Sequence, residues 1–98
     1  MEPTSSTEYR FGSFRLLPAQ RQLFDADVPI KLGGRAFDTL LALVGHRDRA
    51  ISKRELVERV WPKLVVEENN LQVQIVVLRK VLGPAAIATI PVRGYRFT

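Results

Sequence analysis

The 98-residue sequence contains no cysteine and only one histidine. Disulfide bonds and thiol chemistry are therefore excluded, and one histidine cannot supply the ligand set of an ordinary zinc site. No apolar run approaches the roughly 20 residues that span a bilayer. The opening MEPTSSTE also lacks the basic and apolar regions of a secretory signal. We therefore expect one soluble, cytoplasmic domain without a metal or a cofactor.

Few side chains are arranged as a catalytic site would require. His46 follows the apolar stripe of a predicted helix and is interpreted as a polar C-terminal residue. Asp25 and Asp27 lie in a predicted turn, where aspartate bonds to its own backbone. Ser52 is better explained as a helix cap than as a nucleophile. Gly33-Gly34 lacks the spacing and the Lys-Ser/Thr of a phosphate loop. We do not expect an enzyme.

Positive charge is concentrated at the end of the chain. Lys and Arg number 15 against 10 Asp and Glu, a formal net charge of +5. After Asn69 there is no acid, whereas four cations follow: Arg79, Lys80, Arg93 and Arg96. A one-sided basic segment is expected of a protein that binds a polyanion. A soluble domain whose charges merely cluster fits these numbers equally well.

The first third of the domain is predicted to be a small antiparallel sheet. Residues 1–8 are small and polar and are expected to be a disordered tail, which leaves 9–98 as the domain. Short β-type runs, separated by breaks rich in Gly, Pro and Asp, cover residues 9–11, 14–17, 20–24 and 28–32. Four such runs predict a four-stranded sheet.

The apolar period then changes to that of helices. Three helices are predicted. The first covers 35–46 and the third covers 67–82. The second begins at a capping box formed by Ser52 and Glu55 and ends at Pro62. The tail predicts a hairpin over 87–98, with Tyr95 and Phe97 facing inward. A sheet, three helices and a hairpin indicate an α+β winged helix-turn-helix fold.

The third helix has more apolar residues than a core-facing stripe requires. Leu71, Ile75, Leu78 and Leu82 form one stripe. The opposite face has Asn69, Asn70, Val73, Val77 and Lys80, with Gln72, Val76 and Arg79 on one flank and Gln74 at the other margin. In the DNA major groove, Asn and Gln match adenine edges, apolar groups contact thymine methyls, and cations bind guanine or phosphate.

Three functions of that face stay open on the pattern alone. The face could read DNA, the valines could be additional core, or they could form a protein–protein patch. The hairpin favours DNA, because Arg93 and Arg96 have no evident role in a core. A basic hairpin can contact phosphate or enter a minor groove.

Several motifs in this order resemble the OmpR/PhoB-type winged-helix DNA-binding domain. They are FGSFRLLPAQRQLF, SKRELVERVW, LQVQIVVLRKVLG and TIPVRGYRF, and the resemblance covers residues 9–98. This family forms the C-terminal output domain of many two-component response regulators. It also forms the N-terminal domain of ToxR/CadC-like membrane regulators and of regulators with ATPase or TPR regions. The resemblance implies a bacterial transcription regulator that binds double-stranded DNA.

The resemblance also assigns roles to particular positions. It implies that helix 67–82 enters the major groove, that hairpin 87–98 touches the minor groove, and that the loop 62–66 contacts RNA polymerase. It implies a second copy on tandem half-sites. Base reading falls to Val73 and Val77. Other contacts fall to Trp61, Asn69, Asn70, Gln74, Val76, Arg79, Lys80, Arg93 and Arg96.

One departure from the family pattern concerns the valines. Many response-regulator members carry arginines where Val76 and Val77 stand. Fewer cationic contacts imply a lower affinity, or a site richer in thymine that is read through its methyl groups. The chain begins with the sheet and ends at the hairpin, so we expect an N-terminal domain of a longer regulator.

Overall fold

Four short strands open the part of the chain that the computed structural model describes, residues 7–98. The chain divides into two compact units, with the boundary between Gly33 and Gly34. The first unit contains β1 (Tyr9–Phe11), β2 (Phe14–Leu17), β3 (Gln22–Asp25) and β4 (Val28–Ile30). They form an antiparallel sheet in the order β1-β2-β3-β4, which confirms the predicted four-stranded sheet. Leu16 lies opposite Leu23 in β3, and both are buried.

The predicted bounds of the third and fourth strands are wrong, and the third strand ends at Asp25 rather than at residue 24. The third strand begins at Gln22 rather than at residue 20, because Pro18–Gln20 forms a turn of 3-10 helix. Arg21 then takes a left-handed backbone conformation, with φ of 51°, and redirects the chain into β3. The fourth strand ends at Ile30 rather than at residue 32.

The predicted tail over residues 1–8 falls mostly on residues 1–6, which lie outside the described residues. Within the described part, the Glu8 carboxylate forms ion pairs with Arg10 and with Arg15, the latter at 3.8 Å. The domain boundary at residue 9 stays a prediction.

The second unit consists of three helices and a hairpin. These are α1 (Gly34–Gly45), α2 (Lys53–Val60), α3 (Glu68–Leu82), β5 (Ile87–Ile90) and β6 (Gly94–Phe97). The three helices pack against one another, and α1 also contacts β6. This element order confirms the winged helix-turn-helix prediction, with α1 and α3 beginning within a residue of their predicted starts. None of the helices within residues 7–98 is long and apolar enough to cross a membrane.

The hairpin has an additional backbone partner that the sequence did not reveal. Ile51 pairs with Tyr95 through two hydrogen bonds, from Ile51 N to Tyr95 O at 2.7 Å and from Tyr95 N to Ile51 O at 3.0 Å. The segment before α2 therefore lies along β6 and fixes the hairpin. Tyr95 and Phe97 are buried and Arg96 is exposed, as predicted.

The start of α2 is held by a cap and by ion pairs. The Ser52 hydroxyl accepts a hydrogen bond from Glu55 N at 3.0 Å, as the capping box predicts. The Glu55 carboxylate binds two arginines, Arg49 at 2.9 and 3.2 Å and Arg59 at 3.0 Å. The hydrogen bond from Arg49, followed by that from Arg59, lowers the pKa of Glu55 to about 2.

Replacement of Glu55 by glutamine is expected to make the stability of the folded protein depend less on pH in the acidic range. A folded-state pKa below the ordinary value means that the carboxylate contributes stability above about pH 4.5 and loses it as the pH falls toward 2. Wild type should therefore lose more stability over that window than Glu55→Gln. Urea unfolding followed across this pH range measures the difference.

The matched control for that change is Glu58→Gln on the same helix. Glu58 is more exposed and pairs with Arg54 at 3.5 Å, so this variant should follow the wild-type pH curve. Parallel curves for wild type and Glu55→Gln below about pH 4.5 would contradict the prediction.

Candidate nucleic-acid interface

Helix α3 has one buried face and one exposed face. Leu71, Ile75 and Leu78 are at most 2% exposed and anchor the helix in the core of the second unit. Val73, Val76 and Val77 are exposed by 48%, 51% and 36%. The interpretation of these valines as additional core is therefore wrong, because core valines are almost fully covered.

The exposed residues of α3 form a continuous surface, which we call the groove face. It consists of Asn69, Val73, Val76, Val77 and Lys80, all exposed. Val73 lies four residues after Asn69, Val76 and Val77 lie three and four residues after Val73, and Lys80 lies four and three residues after them. Residues at these spacings are neighbours on the helix surface. The face therefore combines one amide, three apolar side chains and one ammonium group in a single stripe.

Three amide residues flank the groove face, and their side chains differ in exposure and in hydrogen bonding. Gln72 is exposed and Gln74 is half-buried. Asn70 is exposed, but its Nδ2 donates to Glu67 O at 3.3 Å. That bond occupies part of the Asn70 amide at the helix start, so Gln72 is the freer of the two exposed side chains to reach a base.

The two ends of α3 differ in charge. Glu67 and Glu68 lie at the N-terminal end, where the helix dipole favours carboxylates. Glu68 pairs with Lys53 of α2 at 2.9 Å, and this hydrogen bond raises the pKa of Lys53. The acidic end is thus partly neutralised, and Lys80 leaves the other end cationic.

The sequence suggested that Arg79 is free on the surface of α3, but in the structure its guanidinium is bound to the hairpin. Its Nε and Nη2 donate to Ile87 O at 3.2 and 2.7 Å, and Nη2 also donates to Thr89 Oγ1 at 2.9 Å. The guanidinium carbon lies 5.9 Å from the centre of the Tyr95 ring. Arg79 therefore joins α3 to the hairpin, and its contact with DNA stays a prediction.

The two hairpin arginines lie in different places. Arg93 is exposed in the turn between β5 and β6, next to the fully exposed Val92. Arg96 lies on the outer face of β6, where its Nε is 3.4 Å from Arg47 O, an acceptor in the α1–α2 connection. Only Arg93 belongs to the tip of the hairpin.

A groove of about 410 Å³ separates the hairpin tip from the starts of α2 and α3. Three cations line it, Lys53 and Arg54 from the first turn of α2 and Arg93 from the hairpin, together with Glu68, the carboxylate that pairs with Lys53. Lys53 and Arg54 were missed among the site residues predicted from the sequence. The signal was present in SKRE, because a cap followed directly by two cations places both near the helix start.

Trp61 is not part of this exposed surface. It is 7% exposed at the end of α2. The Arg35 guanidinium lies 5.9 Å from its ring centre and donates to Val60 O. The structure thus gives Trp61 a packing role, and little of its ring is available to a phosphate.

The connection between α2 and α3 presents two apolar side chains to solvent. Leu64 is half exposed and Val65 is fully exposed, while Lys63 has a positive φ of 64°. This is the loop 62–66 that the resemblance assigns to RNA polymerase. Its exposure leaves the loop accessible to a protein partner.

Comparison with known proteins identifies the family. Residues 27–97 match the model of the family described as transcriptional regulatory protein, C terminal. The chain belongs to this family. The resemblance to OmpR/PhoB-type domains is thereby confirmed.

Two members of the transcriptional regulatory family illustrate the sequence similarity. The transcriptional activator CadC of Escherichia coli K12 is 30% identical over 93 residues, which cover 89% of this chain and 18% of CadC. The phosphate regulon regulatory protein PhoB of Pseudomonas aeruginosa is 29% identical over 98 residues, 96% of this chain and 43% of PhoB. The chain spans less than half the length of these relatives.

Solved structures agree with the fold. The DNA-binding domain of E. coli CadC is 27% identical, with a TM-score of 0.81 over 96% of this chain and 94% of that chain. The DNA-binding domain of Klebsiella pneumoniae RstA, solved in complex with the RstA box, is 26% identical, with a TM-score of 0.79 over 93% and 96%.

Proposed function

We propose that this chain is the sequence-specific, double-stranded DNA-binding domain of a bacterial transcription regulator. Helix α3 lies in the major groove, with the groove face toward the bases. The hairpin β5–β6 lies against the backbone and the adjacent minor groove. A B-DNA major groove is about 12 Å wide and admits one α-helix.

The groove face is the observation that carries this proposal. An exposed helix stripe of amide, valine and ammonium groups offers a partner for each kind of group in the major groove, including the thymine methyl. Family membership of a transcriptional regulatory domain supports the same function. So does the RstA domain, whose structure was solved on its own DNA box.

The cations around the groove face are placed to hold the phosphate backbone. Lys80 is exposed at the C-terminal end of α3. Beside the N-terminal end of α3, three further cations line the protein groove next to the hairpin tip: Lys53, Arg54 and Arg93. Phosphate contacts fix the register of a protein on the duplex, and base contacts then give specificity. Cations at both ends of the groove face would hold α3 in one position along the duplex.

Lys80→Gln is expected to weaken DNA binding and to reduce its salt dependence. Wild type should show a slope of log K against log salt near −0.9 for each of roughly three to five neutralised phosphates, and the variant should lose about one such contact. Fluorescence anisotropy of a labelled mixed-sequence duplex, titrated at several salt concentrations, measures both quantities.

Lys31→Gln is the matched control, since Lys31 is an exposed cation outside the proposed site. It removes the same charge and should leave the slope within error of wild type. Equal slopes and affinities for wild type and Lys80→Gln would contradict the assignment of Lys80. The absence of any salt-sensitive duplex binding would contradict the proposed function.

The same exposed valines support a second candidate function, a protein–protein interaction module. Val73, Val76 and Val77 form an apolar patch, and such patches mark docking sites. Binding by this patch should barely respond to salt. Self-association that depends on concentration and disappears in Val77→Lys would favour this function, whereas a DNA reader would gain nonspecific affinity from the added charge.

We further propose that the chain acts by binding alone, as a cytoplasmic domain without catalysis. The exposed loop 62–66 is the proposed contact with RNA polymerase, and a second copy would occupy a tandem half-site. Loop variants at Leu64 and Val65 should then lower transcription by the full-length regulator and leave its DNA affinity unchanged. A loss of DNA affinity in these variants would contradict a separate role for the loop.

A further inference from the structure

The apolar part of the groove face is too exposed to be explained by folding. Val73, Val76 and Val77 are each at least one-third exposed on a helix that is already anchored by Leu71 and Ile75. No acid occurs on α3 after Glu68, so the side chains that α3 itself places around the valines are neutral or cationic. These charges complement a polyanion and oppose a second copy of the same basic surface.

We propose that these valines read the 5-methyl groups of thymines in the major groove, so that the chain selects a run of thymines. This inference rests on the proposed function. Among the groups that base pairs expose in the major groove, the thymine methyl is the apolar one. A valine side chain has no donor or acceptor and can therefore recognise only that group favourably.

A valine against a G·C pair would be unfavourable rather than neutral. The pair presents N7 and O6 acceptors and an N4 donor in the major groove. A valine would cover these groups and displace their water without replacing the lost hydrogen bonds. The valines therefore select for thymine and also reject guanine and cytosine.

The spacing of the valines sets the length of the thymine run. Val73 and Val77 are four residues apart, so they are separated by about 6 Å along the helix axis. Successive base pairs are about 3.4 Å apart. The pair thus spans about two base-pair steps, and Val76 contacts the same stretch from the adjacent position. A run of two or three neighbouring thymines fits this surface.

Lys80 and Asn69 place the valines on the duplex without competing for the methyl groups. Lys80 lies three residues beyond Val77 and Asn69 lies four residues before Val73, so the two polar groups bracket the valines. A phosphate contact at one end and an adenine contact at the other would position the apolar centre over the intervening pairs.

The test compares duplexes that differ only in the methyl group. One pair of probes is a mixed A·T duplex made with thymine and the same duplex made with uracil. The second pair is a G·C duplex with cytosine and with 5-methylcytosine. Each buried methyl should change the affinity about fourfold, so two contacts predict that wild type binds the thymine duplex roughly fifteenfold more tightly than the uracil duplex. Wild type should likewise bind the 5-methylcytosine duplex more tightly than the duplex with unmethylated cytosine.

Two variants show whether the valines cause this discrimination. In Val73→Ala/Val77→Ala the affinity ratio should fall well below that of wild type, since alanine retains the helix but lacks the γ-methyl groups of two of the three valines. Val28→Ala is the control, because Val28 is exposed on β4 and outside the groove face. Its ratio should equal that of wild type.

Three results would overturn the inference. Equal wild-type affinity for the thymine and uracil duplexes, with salt-sensitive binding to both, would remove methyl reading and leave the proposed function intact. A ratio preserved in the double variant would place the discrimination elsewhere in the chain. The absence of binding to all four duplexes would remove the proposed function together with this inference.

Discussion

Gly94→Ala is expected to destabilise the second unit by about 3 to 6 kcal/mol, a large part of the roughly 5 to 15 kcal/mol typical of a folded domain. Gly94 has a φ of +129°, in the region that side chains other than glycine rarely adopt. A Cβ at this position would also overlap Ile51 O and lie 2.8 Å from Ser52 Cα. Backbone atoms cannot rotate away, so the contact must open.

The opening of that contact would break the link between the hairpin and the start of α2. The two Ile51–Tyr95 hydrogen bonds lie beside Gly94, and Ser52 is the cap of α2. We therefore expect the hairpin to move and DNA affinity to fall with stability. Urea unfolding followed by circular dichroism measures the stability loss.

Gly33→Ala is the control for this prediction. A methyl group added at Gly33 would have open space around it to 4 Å, and the φ of Gly33 is not positive. Alanine at this position should therefore change stability by less than about 1 kcal/mol. A Gly94→Ala variant as stable as Gly33→Ala would contradict the close backbone approach that the structure shows.

The second large effect separates two adjacent cations, Arg79 and Lys80. Arg79→Ala should cost about 2 to 4 kcal/mol of stability, since the change removes charge-assisted hydrogen bonds and leaves the carbonyl of the buried Ile87 without them. Lys80 is exposed, and within residues 7–98 no such bonds hold it. Lys80→Ala should therefore leave stability within about 0.5 kcal/mol of wild type.

Conservative replacement sharpens the distinction. Arg79→Lys keeps the charge but replaces the planar guanidinium fork with a single ammonium group, so it should recover little of the lost stability. Hydrogen exchange of the hairpin amides should accelerate in both Arg79 variants and not in Lys80→Ala. Equal stability of Arg79→Ala and Lys80→Ala would mean that the guanidinium does not hold the hairpin.

The sequence predicted those parts of the fold that depend on local pattern. The stripe of Leu71, Ile75 and Leu78 identified the buried face of α3, because side chains three and four residues apart share one helix face. Ser52 identified the start of α2, because a cap acts on backbone groups a few residues away. The same periodicity placed Val73, Val76 and Val77 on the opposite face, but it left open whether that face is core or surface, which the structure decides.

Long-range partners could not be predicted in this way. Arg79 stands at a helical position that the motif assigns to DNA, yet its guanidinium reaches a carbonyl eight residues away in β5. Ile51 lies far from Tyr95 in the sequence, and nothing in its surroundings specifies that bridge. Such pairings arise from the packing of helices and hairpin, which the apolar period does not encode.

The most direct test of the DNA-binding proposal is an amide NMR titration with a short mixed-sequence duplex, at low salt and again at higher salt. We predict that chemical shifts change in residues 69–80 and 91–96 and that the changes diminish as salt rises. If the chemical shifts of those amides do not change when the duplex is added, the groove face is not the DNA site, and the proposed function is contradicted.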